Sequence, residues 1–177
     1  IDYLNKNIQF HIEEKLEGEE FSLMSITDGI NIQHCPPIQD YKRAYSGNNG
    51  PNTGGMGCIM NCLSFLESDD IEVSEKINEA VLRNIKNYIN IKNNYKGVLY
   101  GSFIKTKDGI RVIEYNCRFG DPEVISLLES MKTSFLDVCN NVINGTLKDK
   151  ILFNNIPTLT KYIVPEGYPI NVMKDYE

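Results

Sequence analysis

The stretch GVLYGSFIKTKDGIRVIEYNCRFGDPE, residues 97–123, decides the fold class. Gly97 to Lys105 and Arg111 to Cys117 are rich in β-branched and aromatic residues, and Lys107-Asp108-Gly109 between them is a hairpin signal. Two antiparallel strands are expected, followed by a helix that opens at Asp121-Pro122, with Asp121 as N-cap and Pro122 at the first helical position. Upstream the pattern repeats: a strand from Glu20 to Thr27, a turn at Asp28-Gly29, and a returning strand from Ile30 to Cys35 that Pro36-Pro37 ends. Ile8 to Lys15 reads as one more strand, before a turn at Gly18. Ile77, Ala80, Val81, Ile85, Tyr88 and Ile89 recur at steps of three and four, which predicts a helix over Val73 to Ile91 with Ser74 as N-cap. A further helix is expected from Ser134 to Asn144, stopped at Gly145, and a last strand from Leu159 to Val164. Strands paired through hairpins, with helices between them instead of regular βαβ units, give an α+β class. The expectation is an antiparallel sheet of about five or six strands flanked by three main helices.

Composition narrows the function classes. The chain has 177 residues, 41% hydrophobic and 24% charged, which suits one globular domain and excludes a wholly disordered chain. Its formal net charge of −6 argues against a general nucleic-acid binder and leaves room only for a local basic site. No apolar run approaches the roughly 20 residues of a membrane helix. The five Cys are odd in number and form no CxxC pair, so they read as free thiols in a reducing compartment. The chain starts at Ile1 without Met or a signal-peptide core and enters strand-like sequence almost at once, as a piece of a larger protein would.

Three segments carry candidate chemistry. Alternate residues of a strand share a face, so Glu114 and Asn116 point the same way, roughly 6–7 Å apart at the backbone. A carboxylate and an amide oxygen at that spacing can hold a hard cation such as Mg²⁺, and Arg118 can reach a phosphate beside it. The same spacing fits an edge strand with its polar face in water. The continuation Phe119-Gly120-Asp121-Pro122-Glu123 favours the functional reading, because a tight turn and a helix N-terminus can both approach an anion. The long stretch Gln39 to Gly57 is rich in Gly, Asn and Pro. Within it Asp40 could hold an ammonium group, Lys42 and Arg43 a phosphate or carboxylate, and the glycines of Gly50 to Gly57 let backbone N–H groups approach an anion. It is neither a Walker A loop nor a Rossmann fingerprint, and a mobile surface loop is the competing reading. In Ile12 to Phe21, the backbone of Lys15 and Leu16 could meet an adenine edge and Glu20 the ribose hydroxyls, or the segment is simply a solvated acidic turn. His11 and His34 have no evident partners in the sequence, and the Cys residues read as packing residues.

Together these segments resemble the phosphoribosylamine–glycine ligases, ATP-grasp enzymes of purine biosynthesis. Glu13-Glu14-Lys15-Leu16-Glu17-Gly18-Glu19-Glu20 looks like the adenine hinge and ribose acid, Gln39 to Arg43 with Gly50-Pro51-Asn52-Thr53-Gly54-Gly55-Met56-Gly57 like the substrate loop, and Val112 to Glu123 like the metal strand. The resemblance runs from about Ile8 to Tyr168. It implies ATP binding at Glu13, Lys15, Leu16 and Glu20, and Mg²⁺ or Mn²⁺ at Glu114 and Asn116. It implies substrate contacts at Asp40, Lys42, Arg43, Asn52, Thr53, Gly54, Gly55 and Asp121, and a catalytic role for Arg118. The implied reaction joins glycine to 5-phosphoribosylamine through glycyl phosphate in the cytoplasm, with neither nucleic acid nor membrane as partner. Residues 1–157 would be the second half of an ATP-grasp domain and 158–177 the start of a C-terminal domain, the remainder of the parent enzyme completing the site. Two features depart from the family: Lys15 stands where an aromatic is usual, and the family's N-terminal domain and phosphate-touching lysines are not in the sequence. A different ATP-grasp carboxylate–amine ligase would share the hinge and the metal strand without needing the Gly50 to Gly57 loop. A non-catalytic nucleotide-binding module is the reading from another class.

Overall fold

The computed structural model describes residues 11–89 and 94–173. In chain order the elements are β1 (Glu19–Thr27), β2 (Ile32–His34), β3 (Ile38–Asp40), β4 (Arg43–Tyr45), β5 (Asn49–Asn52), β6 (Gly57–Met60), α1 (Ser68–Ile89), β7 (Gly97–Thr106), β8 (Gly109–Asn116), α2 (Glu123–Ser130), α3 (Phe135–Asn144) and β9 (Thr158–Lys161). Among the described residues, seven strands form one sheet in the order β8-β7-β1-β3-β6-β9, with β2 paired to β1 ahead of β3. Every pairing is antiparallel, and β4 and β5 form a separate two-stranded ribbon. The α+β class with an antiparallel sheet and three helices is the one expected, though the sheet has seven strands where about five or six were expected. No helix of the described residues is long and apolar enough to cross a membrane.

The alternation of β1 explains the two-sided core. Phe21 and Leu23 face α1 and form a cluster with Phe103 and Ile110, against which Phe65, Ile71 and Ile77 pack. Phe21 lies directly opposite Phe103 in the ladder, and the rings stack with centroids 5.6 Å apart. Met24 and Ile26 face the other way, into a cluster with Ile38, Met60, Tyr100, Leu127, Val138 and Leu147 beneath α2 and α3. Ser25 and Asn78 put polar groups inside the α1 layer: Asn78 Nδ2 donates to Leu23 O (3.0 Å) and Ser25 Oγ (2.9 Å), while Asn78 Oδ1 is buried with no hydrogen-bond partner among the described residues. His34 Nδ1 lies 2.8 Å from Ser25 Oγ and its Nε2 3.5 Å from Glu79, so this histidine has a structural place that the sequence did not reveal.

The turn after β1 is held by Asp28. Its carboxylate accepts N–H from Ile30 (2.8 Å), Asn31 (2.7 Å) and, across the molecule, Leu147 (2.9 Å), and it also accepts from Asn31 Nδ2 (2.9 Å). Burial by itself would raise the pKa of this group; the hydrogen bonds outweigh that and lower it to about 2. α3 is closed at both ends as read from the sequence, by Ser134 Oγ accepting from Asp137 N–H and by Gly145 in the left-handed region at φ 71°.

Five expectations are corrected. Residues 11–17 form no strand, because β1 is already flanked by β7 on one side and by β2 and β3 on the other; Ile8 to Phe10 lie outside the described residues. The stretch Gln39 to Gly57 is not one long loop: it carries β4 and β5, joined by a tight turn with Gly47 and Asn48 at positive φ. α1 starts at Ser68, six residues before Ser74, whose Oγ instead donates to Asp70 O within the helix. Its expected end at Ile91 lies outside the described residues. Pro122, not Asp121, stands at the N-cap of α2 with no side-chain cap bond, and Asp121 instead accepts the Tyr162 hydroxyl. The last strand is Thr158–Lys161, set by its pairing with β6.

Candidate functional site

The candidate site is the sheet face opposite α1, where α2 and α3 do not cover it. In the ladder Ser22 stands opposite Ser102, and Ser102 opposite Glu114; Met24 stands opposite Tyr100, and Tyr100 opposite Asn116. Glu20 and Ser22 of β1, Tyr100 and Ser102 of β7, and Glu114 and Asn116 of β8 therefore share one face. A small cleft there is lined by Glu20, Ser22, Asp40, Lys42, Tyr100 and Ser102.

Glu114 and Asn116 reach this face through a bulge. Ile110 and Val112 stand opposite Lys105 and Phe103, on the α1 side. In a regular strand Glu114 and Asn116, at the same parity, would follow them there. The register shifts between Ser102 and Phe103, leaving Ile113 as the extra residue, and the side chains beyond it change sides. Asn116 Nδ2 then donates to Glu114 Oε1 at 3.0 Å, so the two side chains meet. Both offer hard oxygen donors. Among the described residues no group of three or more His, Cys, Asp and Glu side chains converges on one point. A pair of protein oxygens with the remaining positions left to water and phosphate is the usual provision for Mg²⁺.

The substrate-loop candidates gather beside this pair. Thr53 is pinned to Lys42 O by both its N–H (2.7 Å) and its hydroxyl (2.9 Å), and Gly55 N–H donates to Thr53 Oγ1 at 3.1 Å. Gly55 is buried at φ 137°, and a Cβ there would stand 2.6 Å from Pro122 Cδ and 3.2 Å from Asp40 Oδ1, so the loop closes on the start of α2 only as glycine. Lys42 pairs with Glu20 at 3.6 Å. Asp40 is partly buried, and its Oδ1 has no hydrogen-bond partner among the described residues. Burial, then the nearby Glu123 carboxylate, raise its pKa to about 7 against the opposing pull of Lys42.

Several other candidates stand apart. Arg118 is exposed just past β8, its guanidinium donating to Phe119 O at 2.8 Å. Arg43 donates to Gly50 O at 2.9 Å within the ribbon, where Asn52 is its ladder partner, and Gly54 has open space around it. Glu13, Lys15 and Leu16 lie in the irregular segment before β1. Glu13 pairs with His11 (3.2 Å) and Lys15 with Glu17 (2.9 Å), and none of the three joins the cluster. The sequence reading missed Tyr100, Ser22 and Glu123. Glu123 is 1% exposed, and its Oε1 accepts from Tyr100 Oη at 2.7 Å and Ser22 Oγ at 3.4 Å. The available signal was a carboxylate directly before the apolar pair Val124-Ile125 at the start of the helix EVISLLES.

Residues 4–124 match the family model of the phosphoribosylglycinamide synthetase ATP-grasp (A) domain. The chain belongs to this family. Among its relatives, the phosphoribosylamine–glycine ligase of Methanocella arvoryzae is 44% identical over 93% of this chain, and that of Methanococcus maripaludis 48% identical over 94%. The chain spans only 38% of the length of each. The crystal structure of phosphoribosylamine–glycine ligase from Thermotoga maritima superposes with a TM-score of 0.74 at 29% identity, covering 89% of this chain and 39% of that one. Most of the matched part of this ATP-grasp (A) domain precedes α2: it includes the candidate metal pair and the substrate loop, and ends at the first turn of α2.

Proposed function

We propose that the protein to which this chain belongs joins glycine to 5-phosphoribosylamine with ATP, giving glycinamide ribonucleotide, ADP and phosphate. The observation that carries this reading is the meeting of Glu114 and Asn116 on the open face, beside Glu20, Asp40 and Lys42, in a chain of this family. Glycine's carboxylate attacks the γ-phosphate to form glycyl phosphate, and the amine of phosphoribosylamine then displaces phosphate. Glu114 and Asn116 would hold Mg²⁺ or Mn²⁺, which neutralises charge on the phosphate oxygens when bound. Arg118, exposed at the end of the same strand, faces charge that develops on the transferring group. Glu20 accepts from the ribose hydroxyls, and the segment with Glu13, Lys15 and Leu16 offers its backbone to adenine. Asp40 takes a substrate ammonium group, Lys42 and Arg43 take phosphate or carboxylate, and Asn52, Thr53, Gly54, Gly55 and Asp121 shape the loop around them. Residues 1–157 act as the second half of the ATP-grasp unit and 158–177 lead onward. The five cysteines are free thiols, which suits a cytoplasmic setting.

The test is ADP release by the full-length protein, measured with glycine and phosphoribosylamine supplied singly and together. Release that requires both supports the reading; release with neither, or with another amine alone, overturns it. In that assay Glu114→Ala abolishes metal-dependent turnover. Retained turnover in the variant removes Glu114 from the metal site.

A further inference from the structure

We propose that Glu123 is a positioning residue of this ligase site, tying the strand floor beneath the metal pair to the substrate loop and setting the charge that Asp40 presents to a substrate amine. This inference rests on the ligase reading above. Three observations place Glu123 between the two halves of the site. Its Oε1 accepts from the Tyr100 hydroxyl at 2.7 Å and lies 3.4 Å from Ser22 Oγ, whose nearer acceptor is Ile38 O at 3.1 Å; Tyr100 is the ladder partner of Asn116, and Ser22 and Glu114 flank Ser102 in the ladder. Its Oε2 lies where a Cβ on Gly120 would come within 2.6 Å, so the turn out of the metal strand is wrapped on this carboxylate. On the side of the substrate loop, Gly55 packs so closely that an added Cβ would stand 2.6 Å from Pro122 Cδ, 3.1 Å from Asp121 O and 3.2 Å from Asp40 Oδ1, a buried oxygen with no hydrogen-bond partner among the described residues.

A buried acceptor without a donor is costly unless something arrives to fill it, and a primary ammonium group supplies both the N–H and the positive charge. The groups acting on Asp40 are Glu123 from α2, Glu20 from β1 and Lys42 just beyond β3; Asp40 in turn acts on Tyr100 of β7 and Cys58 of β6. Of these charges Glu123 acts most strongly on Asp40, and Lys42 opposes it. The carboxylate form of Asp40 is favoured when a cation is bound beside its unpartnered oxygen, so the pair discriminates for an amine that carries its proton. Glu123 itself touches no substrate; it acts through Asp40 and through the two hydroxyls.

The experiment has two arms. In the full-length protein, the acid limb of kcat/KM is measured for glycine and for phosphoribosylamine separately, in wild type, Glu123→Gln and Asp40→Asn. In the same full-length protein, Asp40 is followed by carbon-13 carboxyl titration. Glu123→Gln keeps an oxygen for Tyr100 and removes the charge, so Asp40 is expected to ionise about one pH unit lower. The acid limb for one of the two substrates moves with it, identifying which amine the pair receives, while KM for ATP stays within about twofold of wild type. Asp40→Asn removes that limb. Glu123→Asp, with the carboxylate withdrawn, moves Asp40 in the same direction by less, and carries the test if the glutamine variant does not fold. An Asp40 titration unmoved by both Glu123 variants overturns the proposal. So does a limb unmoved for both substrates, or a rise in KM for ATP that matches the loss for the amine. Should the wild-type protein show no turnover with either substrate, the ligase reading fails, and the carboxyl titration still decides whether Glu123 sets Asp40.

Discussion

Single carboxylates do different work in this molecule because their surroundings differ. Asp28 is stripped of water but receives four donors, and its pKa falls to about 2; Asp40 is partly buried beside another carboxylate with one oxygen unpartnered, and its pKa rises to about 7. The first is a stability device and the second belongs to the site. Asp28→Ala leaves the buried Leu147 N–H without an acceptor and releases the β1–β2 turn, a loss on the order of 3 kcal/mol read by urea unfolding at neutral pH. The pH dependence follows from the sign of the shift. The folded pKa lies below the ordinary 3.8, so the contribution is complete above that value and fades as pH falls toward 2. The stability gap between wild type and Asp28→Asn should therefore narrow between pH 5 and about 2.5; a gap independent of pH would count against the assignment. The sequence marked Asp40 as a candidate for a substrate ammonium group, but not the role of Asp28 or the influence of Glu123. Asp28 looked like an ordinary turn residue, since its partner Leu147 is 119 positions away. Glu123 stood inside the quoted stretch, but only the fold brings it to Tyr100.

The elements were easier to read than their partners. Both strands of the β7–β8 hairpin and the two ends of α3 follow from local chemistry: alternation, an Asp-Gly turn, a serine cap and a glycine stop. The segment before Gly18 was misread because local β-propensity cannot report that both edges of β1 are taken. The bulge at Ile113 was invisible for a related reason. Ile110, Val112, Glu114 and Asn116 share one parity, two apolar and two polar, and the conflict is resolved only by the register shift. Deleting Ile113 removes the extra residue and leaves Glu114 next after Val112, still opposite Ser102. The variant is therefore expected to fold and to keep metal-dependent turnover in the full-length protein, within about tenfold of wild type. A folded deletion variant that loses all turnover would show that the local bend, beyond the facing of the side chains, is required.

At the scale of the whole molecule, the open face carries Glu20, Asp40 and Glu114 with Lys42 already engaged by Glu20, an arrangement ill suited to hold a polyanion unaided. The 177-residue chain alone is expected to bind Mg-ATP no more tightly than the millimolar range, about −4 kcal/mol, and to release no ADP. Calorimetry checks the first and a coupled assay the second; micromolar binding would show that the face is sufficient by itself. The outermost strand has a consequence for handling the protein. β9 is the last strand of the described sheet, with Leu159 72% exposed and Ile163 fully exposed just beyond it. An uncovered strand edge flanked by apolar side chains is a template for another chain. Solutions of the 177-residue chain should scatter light increasingly with concentration, and Leu159→Lys, which sets a charge in the path of an incoming strand, should keep them clear at concentrations where the parent sequence turns cloudy.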